Sequence, residues 1–181
     1  MFDDFNDSYF RPLGEPEMDG YDVAQVCMNG HVVNEFARSQ PEHNCDHCPE
    51  CGGKTVKACP KCETPIRGFY HSSAGVSITP GATHGPSFCY KCGSPYPWTE
   101  SRLSSAREYV RELDHLTDNE KGILERSLDD LISETPRTQV AALRFKQYAT
   151  KAGHSAMEGL KSILIDIMAE AAKKVIFGPT A

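Results

Sequence analysis

Eight cysteines lie between residues 27 and 92 of this 181-residue chain, and their spacing constrains the fold more than any other feature. Three pairs read C-x2-C: Cys48-Pro-Glu-Cys51-Gly-Gly, Cys59-Pro-Lys-Cys62 and Cys89-Tyr-Lys-Cys92-Gly. A fourth half-site reads Cys27-Met-Asn-Gly-His31. A two-residue gap lets one tight turn offer two thiolates to a tetrahedral ion, with backbone amides aimed at the sulfurs. Several such pairs in one short region predict bound zinc.

The surroundings favour metal over disulfides. No stretch approaches the roughly 20 apolar residues that span a bilayer, and the most apolar run, Ile163 to Met168, is interrupted by Asp166. The start, Met1-Phe-Asp-Asp-Phe-Asn-Asp7, has neither the basic nor the apolar region of a signal peptide. The expectation is a cytoplasmic protein with no membrane contact, whose cysteines stay reduced. Eight cysteines also suit iron–sulfur clusters in principle, but paired tetrahedral knuckles suit zinc better.

The net charge of −6 is unevenly spread. Residues 1–19 set Arg11 against six acids, residues 20–98 balance six against six, and residues 99–181 set twelve bases against thirteen acids. Four thiolates around Zn2+ leave −2, and three with a neutral histidine leave −1. A zinc-loaded ribbon is then modestly negative, which weighs against general nucleic-acid binding.

Three segments follow. Residues 1–20 read as an acidic, disordered tail, or as a linear motif whose Phe2, Phe5, Tyr9 and Phe10 anchor on a basic partner. Residues 21–98 read as a double zinc-ribbon module. Tyr21 to Cys27 is expected as a strand, Gly30 as a turn with positive φ, Val32-Val33 as a second strand and Gly52 to Ala58 as a strand between sites. The stretch after Cys62 predicts short strands, one at Val76 to Thr79, and a Pro/Gly-rich loop held by metal rather than by a large core.

Residues 99–181 read as a helical hairpin or bundle, α+β overall. Thr99 or Ser101 is the expected first cap, with Trp98 before it as a hydrophobic staple and Leu103, Ala106, Val110 and Leu113 on one face. Thr117-Asp-Asn-Glu120 is a capping box for a second helix carrying Leu124, Leu128 and Leu131. Thr135-Pro136 opens a third, with Ala141, Phe145 and Tyr148 inward, and Gly153 ends it. A single fourth helix presents Leu160, Ile163, Leu164, Ile167, Ala171 and Val175.

Two closed sites need eight donors. Cys27, His31, Cys48 and Cys51 form the preferred first set and Cys59, Cys62, Cys89 and Cys92 the second, because each then joins knuckles separated by enough chain for a hairpin. The competing arrangement joins Cys48/Cys51 to Cys59/Cys62 and Cys27/His31 to Cys89/Cys92. Cys45, in Cys45-Asp-His-Cys48, could displace His31, which would then be an ordinary turn histidine; His43 and His47 read as surface residues.

The segment Tyr21-Asp-Val-Ala-Gln-Val-Cys-Met-Asn-Gly-His31, the knuckles above, Pro65-Ile-Arg-Gly68 and Tyr96-Pro-Trp98 together resemble an uncharacterised bacterial double zinc-ribbon family with a helical C-terminal half. The resemblance runs from about Tyr21 to the C-terminus. It implies two Zn2+ per chain on Cys27, His31, Cys48, Cys51, Cys59, Cys62, Cys89 and Cys92, leaves Cys45 outside the pattern, and carries no established reaction.

The function expected first is a zinc-binding adaptor, with a protein partner or self-association through the helical half. Its expected contact surface is Arg67, Phe69, Tyr70 and His71 with Tyr96 and Trp98, although Trp98 packing the two halves together is the simpler role for that ring. Nucleic-acid binding through Lys54, Lys57, Lys61, Arg67 and Lys91, interleaved with Phe69, Tyr70 and Tyr90, is the alternative. A zinc-dependent hydrolase comes last: it needs an open position for water, with Glu50 or His31 assisting.

Overall fold

The computed structural model describes residues 20–72 and 81–178. Among the described residues, five short strands precede five α-helices. The strands are β1 (Gly20–Val23), β2 (Gln25–Cys27), β3 (Val32–Asn34), β4 (Thr55–Val56) and β5 (Arg67–His71). The helices are α1 (Pro97–Arg111), α2 (Asp118–Leu131), α3 (Thr138–Ala152), α4 (His154–Leu164) and α5 (Glu170–Phe177). This is the α+β arrangement expected, with a helical C-terminal half. The acidic tail and the strand expected at Val76 to Thr79 lie outside the described residues.

Strands β1 and β5 pair antiparallel, with Tyr21 opposite Tyr70, and β2 sits between β3 and β4 in a second antiparallel sheet. The run from Tyr21 to Cys27 is therefore two strands, not one. At Ala24 the chain changes sheets, and the Ala24 amide donates to the Ile66 carbonyl at 2.8 Å. The link from Gly52 to Ala58 is strand only at Thr55–Val56. Asp22 is 3% exposed. Burial pushes its carboxyl up, yet hydrogen bonds from Ser39, the Val23 and Arg38 amides and His71 hold it below the usual carboxylate range.

Helix α1 begins at Pro97, with Tyr96 as N-cap, so neither Thr99 nor Ser101 caps it. Proline suits the first helical position because that turn needs no intrahelical N–H donor there. Trp98 thus lies inside the first turn rather than ahead of it. Thr99 is fully buried and its hydroxyl donates to the Ser87 carbonyl at 2.9 Å, work that removes it from capping. The capping box of α2 is present, with the Glu120 amide donating to Thr117 Oγ1 and the Thr117 amide to Glu120 Oε2.

Helix α3 starts at Thr138, and Thr135-Pro136 form the turn before it. The Thr138 hydroxyl turns back to the Ser133 carbonyl, which fixes that turn. Gly153, at φ 108°, ends α3 as expected. The expected single fourth helix is two. The chain leaves the helix after Leu164, and the Ala169 amide donates to the Leu131 carbonyl at 2.9 Å. The phase shift buries Ala172 and Ile176 in the core, with Val175 packed at its margin and Ala171 outside it.

Two apolar cores result. The helical one gathers Leu103, Ala106, Val110, Leu124, Leu128, Leu131, Phe145, Leu160 and Leu164. The strand-bearing half has a small core of Ala24, Val26, Ile66, Tyr96 and Trp98 together with Cys59 and Cys89. Trp98 stacks on Tyr96 at 4.5 Å between ring centroids and donates its indole N–H to the Pro86 carbonyl at 3.0 Å. The backbone comes so close at Gly85 that a Cβ there would meet Val26 Cγ1 at 2.8 Å and Trp98 Cζ2 at 3.0 Å.

Two measurements check these contacts. Gly85→Ala should destabilise the protein by about 1–3 kcal/mol through overpacking, read from chemical denaturation. The Lys151 ammonium, followed by the Thr117 amide, holds the Glu120 carboxyl at about 2, against 4.5 for a free glutamate. A depressed carboxylate contributes stability above its unfolded value and loses it as pH falls through the folded one. A 13C titration should place the Glu120 midpoint near 2, and Lys151→Met should raise it towards 4.5.

Candidate metal centres

Three knuckles are copies of one backbone design. In each, the first cysteine's amide donates to the carbonyl five residues on: Cys48 to Gly53, Cys59 to Thr64 and Cys89 to Ser94, at 2.8–2.9 Å. The residue four positions on donates back to the first cysteine's carbonyl: Gly52, Glu63 and Gly93. A bridge closes each loop, His47 with Lys54, Ala58 with Pro65 and Phe88 with Pro95. The back-donating residue takes a positive φ of 69°, 59° and 69° respectively. Glycine adopts that conformation freely; Glu63 does so at a cost.

The fourth half-site is built differently. Gly30 donates to the Cys27 carbonyl at 2.9 Å and the Cys27 amide to the His31 carbonyl at 3.0 Å, so a wider turn presents a thiol and an imidazole. Gly30 has φ 93°, as expected, and lies against the Trp98 ring.

These turns bring eight donors into two groups. One holds Cys27, His31, Cys48 and Cys51, the other Cys59, Cys62, Cys89 and Cys92, and within each group the donor atoms lie within 4.8 Å of one another. Cys27 and Cys51 sulfurs are 3.7 Å apart, and His31 Nδ1 is 3.7 Å from Cys48 Sγ. In the second group Cys62 and Cys89 are 3.6 Å apart, and Cys59 and Cys92 3.9 Å. A tetrahedral ion with metal–sulfur bonds of about 2.3 Å sets its sulfurs about 3.8 Å apart. A disulfide needs about 2.05 Å, and all eight cysteines are free. The spacing and donor chemistry therefore fit metal ions, one per group.

Neighbouring donors prepare the thiolates. Asn29 Nδ2 donates to Cys51 Sγ at 3.2 Å, and with the Gly53 amide it lowers that thiol to about 6. Ser94, through side chain and amide, does the same for Cys92. The Cys92 amide lowers Cys89. Burial pushes Cys27 and Cys59 the other way. Each group thus pairs exposed, easily ionised sulfurs with buried ones that a cation must draw out.

Cys45 stands apart from both groups. Its thiol is exposed and lies 3.7 Å from the His43 carbonyl, while Gln25 grips its backbone on both sides. Glu50 Oε2 reaches 3.7 Å from His31 Nδ1. Behind His31, the backbone bridges to His84, whose Nε2 lies 3.4 Å from Asp166 Oδ2, and Asp166 also pairs with Arg102 at 2.9 Å. The first group is thereby connected to α1 and to the turn after α4. Sequence reading missed Asn29, Ser94 and this His84–Asp166–Arg102 line. Asn29 and Ser94 each sit two residues past a ligand cysteine, which is the signal that could have exposed them.

Two four-donor Cys/His groups on ribbon-like knuckles, followed by five helices among the described residues, are consistent with a double zinc-ribbon-like protein. The chain belongs to the family described as "Uncharacterized protein conserved in bacteria (DUF2321)", which matches residues 20–176. No curated protein and no solved structure matches it.

Cys59→Ser should remove one equivalent of bound metal per chain while Cys45→Ser removes none, measured by elemental analysis of the purified variants. Loss of metal from Cys45→Ser would place that thiol among the ligands.

Proposed function

We propose that the protein is a zinc-binding interaction protein, in which two structural Zn2+ ions shape a recognition surface and the helical half contributes further protein contacts. The observation that carries this reading is that each group supplies four protein donors at tetrahedral spacing. Four donors saturate a tetrahedral zinc, whereas a catalytic zinc keeps a position for water. Three thiolates with an imidazole in one group and four thiolates in the other support zinc as the ion.

The contact surface is narrower than the sequence suggests. Tyr96 and Trp98 are 1% and 2% exposed and serve the small core, so they offer nothing to a partner. Tyr70 and Arg67 are exposed on β5, joined by Tyr21 and Tyr90. On the helical half, Val140 and Leu143 stand 48% and 62% exposed on α3, one turn apart, and are the residues that support self-association.

A second reading, nucleic-acid binding, is supported by Lys54, Lys57, Lys61, Arg67 and Lys91, which carry no carboxylate partner among the described residues. The balanced charge of residues 20–98 speaks against it.

Elemental analysis should give two zinc per chain, and quantitative capture from bacterial cells should return a reproducible partner that Tyr70→Ala with Tyr90→Ala fails to retain. Recovery of chaperones alone by both forms counts against the interaction reading. Tight binding of single-stranded RNA or DNA at low salt, weakening steeply as salt rises, would favour the second reading.

A further inference from the structure

The outer end of β1 and β5 carries a cluster that neither metal group uses. Tyr21, Tyr70 and Tyr90 are 46%, 45% and 53% exposed. Tyr21 and Tyr70 face each other across the strands and meet edge to face at 4.9 Å. The Arg67 guanidinium lies 3.9 Å from the Tyr90 ring centre and 4.6 Å from that of Tyr21. The guanidinium carbon therefore sits over both rings. It has no carboxylate: the arginines paired to carboxylates are Arg102, Arg107, Arg111 and Arg137, and among the described residues no side-chain acceptor meets Arg67.

A guanidinium is a planar fork of N–H donors, and one resting over aromatic rings without a carboxylate keeps that fork for the two oxygens of an incoming carboxylate. More positive charge surrounds it. Arg38 reaches the Tyr21 carbonyl at 2.9 Å, Lys57 accepts through its carbonyl from Ile66 beside Arg67, and Lys91 follows Tyr90 in the knuckle. Exposed tyrosines next to unpaired cations suit an acidic segment that also carries aromatic side chains.

The chain contains such a segment next to the cluster. Residues 1–19 hold Asp3, Asp4, Asp7, Glu15, Glu17 and Asp19 against Arg11 alone, with Phe2, Phe5, Tyr9 and Phe10. They join β1 at Gly20, one residue before Tyr21. Ten residues reach up to about 33–36 Å when extended, so the aromatic part has ample length to return to the cluster. We propose that the cluster of Tyr21, Arg67, Tyr70 and Tyr90 is a binding site for an acidic, aromatic peptide, and that its occupant is this chain's own residues 1–19. This goes beyond the zinc-dependent interaction reading and needs no partner. The segment competes with any acidic partner for the same tyrosines.

The test uses the full metal-loaded chain with Phe5→p-benzoylphenylalanine or Phe10→p-benzoylphenylalanine, irradiated and mapped by mass spectrometry. Adducts within one chain on residues 20–23, 67–70 or 89–91 are expected. Arg67→Glu should lower their yield by about fivefold or more. Lys91→Glu, on an exposed knuckle residue, should lower it in the same direction, and serves if Arg67→Glu loses its metal. Adducts elsewhere, or none from either probe position, overturn the proposal. Covalent dimers as the main product overturn it in favour of a second copy's segment, and yields unchanged by both charge reversals overturn the role given to the guanidinium fork.

Discussion

Everything in the strand-bearing half depends on donors distant in the chain converging to tetrahedral spacing. Cys27 and His31 meet Cys48 and Cys51, and Cys59 and Cys62 meet Cys89 and Cys92. Among the described residues no strand there exceeds five residues, and β4 has two. Such strands cannot hold a sheet together alone. Loaded with metal, the two donor groups would supply the long-range closure that a larger protein would obtain from hydrophobic area. The buried cysteines are part of that small core as well as of the groups, so packing and ligation are not separable.

The two halves are joined through the same region. Trp98 belongs to α1 but is packed among strand-side residues, stacked on Tyr96 and close to Gly30 and Gly85. Phe88, next to the third knuckle, packs against the helical core. The His84–Asp166–Arg102 line adds a polar tie from the first metal group to the turn after α4. The end of the cysteine region and the beginning of the helices are therefore one structural joint, and a boundary at residue 98 or 99 falls inside α1.

The knuckles were legible because each is a local device: two cysteines at a two-residue gap, with Pro after the first or Gly after the second, specify a turn whatever the rest does. Chain spacing also pointed to the two groups of donors that the fold brings together, and the capping box at Thr117 was legible for the same local reason. What escaped was decided by tertiary contacts. Thr99 has the chemistry of a cap, but its hydroxyl is taken by Ser87, and α1 starts earlier at a proline. The apolar periodicity from Leu160 onward runs smoothly through Ile167, so nothing local announces the break that the Leu131 carbonyl imposes through Ala169. Trp98 was legible as the ring that packs the two halves together, whereas the burial of Tyr96 depends on a small core gathered from residues 24 to 98 that no local pattern announces.

Glu63 sets the second knuckle apart from its two copies. Gly52 and Gly93 enter the left-handed region without penalty, and nothing lies within 4 Å of a Cβ placed on either. A side chain in that conformation costs about 1–2 kcal/mol, so the Cys59/Cys62 turn is the least inclined of the three to form before its ion arrives. The Gly52 and Gly93 turns carry no such cost, so the conformational cost of presenting four donors falls unequally on the two halves of the second group.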